Sequence, residues 1–287
     1  MVVLTKKVDM KLKQYESTVE DFVKKQSGCF IVASQDNSFL GVMRGTLTKH
    51  LVLESHCMVN VVNSEELFRE LNRSEKKNQR AVVFVERLFN ELESIQLVKD
   101  IKTKHPKAKI IILTHDAERQ RLVLMHEIGA DNFISKPISI NNLIEKIAFT
   151  IKPQGKIGQV IEAGKLLLER GEYPKALAVA EQILEMKPNS AAAFLIQGDA
   201  YKALKKRDEA VEAYETASQH APMYLEPLKK LSELYFDEDN LGEHLRYLEK
   251  LDSLSPLNIE RKVDIGGVHL DLGNSEKAES MFDSALA

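Results

Sequence analysis

From residue 28 to about residue 151, short β-branched runs alternate with amphipathic stretches. CFIVA (29–33), CMVNVV (57–62), AVVFVE (81–86), KIIILT (109–114) and NFIS (132–135) read as strands. Apolar positions three and four apart predict helices at about 38–51, 64–74, 92–105, 117–129 and 139–151. Strands this apolar suit a parallel sheet covered by helices on both faces. Right-handed crossovers then place any site at the C-terminal ends of the strands. Ahead of this block, Leu12, Tyr15, Val19, Phe22 and Val23 fall at helical spacing. Residues 1–27 are therefore expected to form a helical extension that covers its own domain.

Beyond IKPQGKIGQV (151–160), a junction punctuated by Pro153, Gly155 and Gly158, the strand pattern stops and a repeat begins. Pro188, Pro222 and Pro256 recur every 34 residues, each ending a helical segment that it cannot continue. Counting back from each proline aligns small and packing residues. They are Ala163, Gly164, Leu167, Ala176 and Ala180, then Phe194, Gly198, Tyr201, Ala210, Tyr214 and Ala217. A third set has Leu228, Leu231, Tyr235, Leu248 and Leu251, with Ser232 and His244 where small residues are usual. A fourth keeps Ile265, Gly266, Ala278, Phe282 and Ala285. Glycine or alanine lets paired helices approach closely while aromatics fill the neighbouring hollow, and stacking makes the core that no hairpin has alone.

Residues ~157–287 resemble tetratricopeptide repeats in period and packing positions. The resemblance implies an α-solenoid of about four helical hairpins. It also implies a concave groove, lined by the first helix of each pair, that grips a protein partner. The matching positions are Ile161, Lys165, Leu168, Glu169, Leu195, Asp199, Lys202, Lys229, Glu233, Phe236, Val263 and Asp271. No asparagine falls among them, so the carboxylate clamp of chaperone-binding members is absent and the ligand class stays open. The last repeat has no polar capping helix, so either the chain is cut short there or its open end packs on another molecule.

The βα block resembles the receiver domain of bacterial response regulators, a flavodoxin-like fold, over about residues 28–152. IIILT (110–114) matches the fourth strand with its hydroxyl residue, Thr114. GADNFISKP (129–137) matches the fifth-strand signature, with Phe133 at the aromatic switch position and Lys136 before Pro137. In that family an acidic pair after the first strand holds Mg²⁺, and an aspartate ending the third strand accepts phosphate. Here Ser34 and Gln35 stand at the pair, and Glu86 stands at the acceptor. Asp36 is the next residue and is expected to point away from the pocket. Glu86 has two readings: it imitates a phosphorylated aspartate by reaching Lys136 and Thr114, or it only neutralises a buried Lys136. His115, where a small residue is usual, is expected to crowd out phosphate and Mg²⁺.

Charge and composition change this picture little. Residues 1–152 hold 24 Lys+Arg against 19 Asp+Glu, and the remainder 16 against 24. The opposite signs of +5 and −8 permit domain docking or a homodimer. No basic run is interleaved with aromatics, so no nucleic-acid partner is expected. No run is long enough for membrane insertion. Two cysteines, Cys29 and Cys57, suit a reducing cytoplasm, and free thiols are expected rather than a disulfide. The histidines show no metal-ligand spacing, so neither metal nor cofactor is expected, and no enzymatic constellation is present.

The organisation expected is thus α/β plus all-α. Residues 1–27 form a helical extension, 28–152 a five-stranded parallel receiver-like domain, and 153–287 the repeats. The function it implies is a non-enzymatic, cytoplasmic signalling adaptor of two-component type with a degenerate receiver. The alternative is a response regulator phosphorylated through atypical acceptor chemistry, with the repeats as output.

Overall fold

The structure is a computed structural model that describes residues 2–116, 118–153 and 155–286. The chain divides into two compact units, Met1–Gln154 and Gly155–Ala287. The first unit holds five parallel strands, β1 (Gly28–Ala33), β2 (Met58–Val61), β3 (Arg80–Glu86), β6 (Lys109–Thr114) and β7 (Asn132–Ser135). Their order in the sheet is β2-β1-β3-β6-β7. Alternation along each strand sends side chains to opposite faces. Phe30 and Val32 join one apolar core, and Ile31 and Ala33 join the other.

The first core lies under α2 (Asn37–Gly45) and α6 (Ile140–Ile151), the second under α3 (Ser64–Lys76), α4 (Ile95–Lys104) and α5 (Arg119–Glu127). A long helix, α1 (Val2–Lys25), packs against α6 and inserts Val19 and Phe22 into the first core. A Cβ on Gly28 would stand 2.3 Å from the Phe22 ring, so that close approach requires glycine.

Three expectations change. The helix expected at 38–51 stops at Gly45 and continues as a π-helical turn, Thr46–His50. Cys57 closes a 3₁₀ turn, and strand β2 begins only at Met58. The stretch after Glu86 forms a hairpin, β4 (Leu88–Phe89) and β5 (Leu92–Glu93), which delays α4 to Ile95. Asn90 and Glu91 both take positive φ, 53° and 67°, as a tight two-residue hairpin turn demands. Residue 117, where the fourth helix was expected to begin, lies outside the described residues.

The second unit holds four hairpins: α7 (Lys156–Glu169) with α8 (Tyr173–Met186), α9 (Ala191–Ala203) with α10 (Arg207–His220), α11 (Leu225–Asp237) with α12 (Leu241–Leu254), and α13 (Ile259–Asp271) with α14 (Ser275–Leu286). Pro188, Pro222 and Pro256 sit in the turns between hairpins. Inside the hairpins, Gly171, Lys205, Asp239 and Gly273 take φ of 73°, 60°, 56° and 75° at the same repeat position. A Cβ on Gly198 would stand 2.4 Å from the Tyr214 ring, and one on Gly266 2.5 Å from the Phe282 ring. The third repeat replaces this fit with a polar one: Ser232 Oγ lies 3.0 Å from His244 Nδ1, and the Ser232 carbonyl 2.8 Å from it.

Candidate functional site

Parallel strands deliver their C-terminal ends to one rim, and there four side chains from three strand ends converge. Ser34 follows β1 and is fully buried, Glu86 ends β3, and Lys136 follows β7 at 8% exposure. The Lys136 ammonium donates to Glu86 Oε1 and Oε2 at 2.8 and 3.0 Å, and to Asp36 Oδ2 at 2.8 Å. Ser34 Oγ donates to Glu86 Oε1 at 2.6 Å and accepts from the Asp36 N–H at 3.1 Å.

Asp36 corrects the expectation that it points away. Strand alternation ends at Ala33, and beyond it the backbone turns so that Asp36 caps α2. Its Oδ1 accepts from the Ser38 and Phe39 N–H groups at 2.9 and 3.1 Å, which leaves Oδ2 for the lysine. The signal was present in the sequence as an aspartate directly before an amphipathic helix, a preferred cap residue. Gln35 instead leaves the pocket: it is exposed, and its Nε2 donates to Asn90 Oδ1 of the hairpin turn at 3.2 Å.

Burial alone would lower the Lys136 pKa, yet hydrogen bonds to Asp36 and Glu86 outweigh it and raise the group above its ordinary value. The hydrogen bond from Lys136 holds Asp36 below the usual carboxylate range, helped by the Phe39 N–H. One cation thus stands where two carboxylates meet, and the cage is satisfied without any added ion.

Thr114 and His115 play other parts than expected. Thr114 is buried, and its hydroxyl donates to the Asp116 carbonyl at 2.5 Å rather than to Glu86. His115 is exposed, and the Lys136 ion pairs fill the pocket. Phe133 is half-buried against the second core. The rest of its motif braces the sheet: Asp131 accepts from Lys102 and Lys109 at 2.7 and 2.9 Å and from the Ile110 N–H at 2.8 Å. Gly129 takes φ of 114°, which favours glycine.

In the repeats, the first-helix positions divide. Lys165, Lys202, Glu233 and Phe236 are exposed, Phe236 at 58% with its ring centroid 5.0 Å from that of His244. Val263 and Leu270 are also exposed. Ile161, Leu168 and Lys229 are half-buried, and burial lowers the Lys229 pKa. Asp199 accepts from the Tyr214 hydroxyl at 2.8 Å, and burial raises its pKa. Leu195, expected in the groove, is buried at 6%, because α9 packs against α7, α8 and α10 and keeps little free surface. Lys202 meets Asp237 of the next repeat at 3.3 Å. Among the described residues no group of three or more metal-ligating side chains comes together, and no helix is long and apolar enough to cross a membrane.

Residues 41–148 match the response regulator receiver domain, and residues 161–223 match a tetratricopeptide repeat. The receiver match begins after Ser34, Gln35 and Asp36. Among solved structures, "Crystal structure of MamA" is 22% identical, with 46% of this chain and 77% of that one covered at a TM-score of 0.39. "MamA 41-end from Desulfovibrio magneticus RS-1" is 19% identical, covering 50% of this chain and 79% of that one at 0.37. "Functional Characterization of Pseudomonas Aeruginosa pilF" is 20% identical, covering 45% and 60% at 0.38. No curated protein matches the chain. The chain joins a response regulator receiver domain to tetratricopeptide repeats, a signalling module fused to a protein-interaction module.

Proposed function

We propose that this protein is a non-enzymatic adaptor of two-component type, whose receiver domain is held in one state without phosphorylation while the repeats grip a partner. The observation that carries the reading is the Lys136 ammonium, 2.8 Å from both Asp36 and Glu86. A fixed ammonium there neutralises the carboxylates that would otherwise attract Mg²⁺, and Ser34 occupies an oxygen of the would-be acceptor. Free Cys29 and Cys57 suit the reducing cytoplasm in which such a module works. Incubation with Mg²⁺ and acetyl phosphate, followed by intact mass, is expected to leave the protein unmodified. A Mg²⁺-dependent phosphoryl adduct would sink this reading.

A second reading has an observation of its own. Asp36 enters the pocket beside Glu86, so the site is more acidic than the Ser34–Gln35 pair suggested. If Lys136 swings aside, the two carboxylates form a partial Mg²⁺ site and Glu86 becomes an atypical acceptor. The same mass measurement separates the two, with adduct mapping to Glu86 favouring the second.

For the repeats, exposed Phe236, Val263 and Leu270 beside Glu233, Asp237 and Asp271 suit an apolar partner segment with basic flanks. Affinity purification from the native host with Phe236→Asp should lose partners that the unaltered chain retains.

A further inference from the structure

Beside the edge strand β2, away from the Lys136 cage, a cavity of about 210 Å³ opens between the π-helical turn and the 3₁₀ turn. Its apolar wall is Leu47, Cys57 and Met58, and its polar groups include Arg44 and Asn60. Asn60 pairs in register with Val32, so its side chain projects onto the face that Phe30, Val32 and Met58 make apolar. Its Oδ1 is buried and receives no hydrogen bond. A buried carbonyl left without a donor is costly, which makes an asparagine at this apolar position a poor choice for folding alone. Arg44 is exposed, with no carboxylate partner among the described residues.

The backbone around the cavity is unusual in the same place. Leu51 N–H reaches back to the Thr46 carbonyl at 3.0 Å, the π pattern, and the Thr46 and Thr48 hydroxyls donate to the Val42 and Arg44 carbonyls at 2.8 Å. Val52 then takes φ of 50°, a left-handed conformation that a β-branched residue strongly resists. Single π turns and strained backbone of this kind gather at functional sites.

We propose that this cavity binds a small, ring-sized carboxylic acid that also carries an O–H or N–H donor. The carboxylate pairs with the Arg44 guanidinium, whose planar fork fits it. The donor hydrogen-bonds the Asn60 carboxamide, and the ring lies on Leu47, Cys57 and Met58. The volume suits a single ring, since a cavity of roughly 150 Å³ in another protein already admits benzene. This inference is independent of the state of the receiver pocket.

The test is titration of the full chain with 3-hydroxybenzoate, benzoate and benzyl alcohol, followed by amide chemical shifts and calorimetry. Saturable 3-hydroxybenzoate binding that shifts the Arg44–Asn60 segment is expected. Arg44→Gln, on an exposed side chain, should weaken it at least about tenfold. Asn60→Val should reduce 3-hydroxybenzoate to the affinity of benzoate and leave benzoate itself unchanged. Benzyl alcohol, without the carboxylate, should bind weakly and ignore Arg44→Gln. No saturable binding of 3-hydroxybenzoate at about 10 mM overturns the proposal, as does binding that neither variant alters.

Discussion

In the receiver domain Lys136 meets Glu86 and Asp36, 50 and 100 residues away along the chain. In the repeats Gly198 meets Tyr214, and Ser232 meets His244, within a single helical hairpin. The first arrangement concentrates charge on one lysine, and both carboxylates of the cage depend on it. The second spreads shape-fitting over many positions, so one repeat can trade a glycine–aromatic fit for a serine–histidine pair and keep its fold. A site made of distant, charged groups is sensitive to one change, while a repeated local fit is tolerant.

Breaking the cage at its centre should have the largest effect. Lys136→Met leaves Glu86 and Asp36 without their cation and should cost about 3 kcal/mol in chemical denaturation of the first unit. The same variant sharpens the pH dependence. Asp36 has a folded pKa depressed below its ordinary value of 3.8, chiefly by its hydrogen bond from Lys136. Its contribution is therefore complete above that value and is lost as pH falls through the lower folded pKa. Acid titration of stability should show this loss in the unaltered protein and a smaller one in Lys136→Met, where the Ser38 and Phe39 N–H groups still hold Asp36 down.

Gly198→Ala tests the repeats. Alanine gains about 1 kcal/mol of helix propensity, but its Cβ would meet the Tyr214 ring at 2.4 Å. Overpacking should win, for a net loss of about 2 kcal/mol by thermal denaturation. Ser34→Ala removes a charge-assisted bond to Glu86 and should cost about 1.5 kcal/mol. Lys205→Gly relieves a left-handed residue at the position where two other repeats already use glycine. It should raise stability by about 0.5 kcal/mol, since the more flexible unfolded chain offsets part of the gain. A larger response at Gly198 than at Lys136 would reverse the contrast between the two units.

Much of this architecture was readable in advance. The five strand segments follow from apolar periodicity, which depends only on neighbouring residues, and the four repeat hairpins from the 34-residue recurrence of Pro188, Pro222 and Pro256 with their packing positions. The hairpin after Glu86 was missed because its two-residue strands are too short to show alternation, and only Asn90 marked the turn. The π turn at Thr46–His50 was also hidden, because its apolar spacing continues that of α2.

The candidate site was legible in part. Ser34, Glu86 and Lys136 were predicted at one rim and do meet there. Asp36 was excluded by counting along the strand, His115, expected to crowd the pocket, is exposed, and Leu195 was assigned a groove surface that packing does not give it.

By itself, then, the order of residues determined which segments form strands and helices, and hence which strand ends share a rim. Where the chain leaves a strand, the next side chain is aimed by a cap or a turn. Only the tertiary structure decided that Asp36 caps α2 with one oxygen and holds Lys136 with the other. The reason is physical: periodicity is a local property, whereas pairing a buried cation depends on groups that only the folded sheet brings within hydrogen-bonding distance.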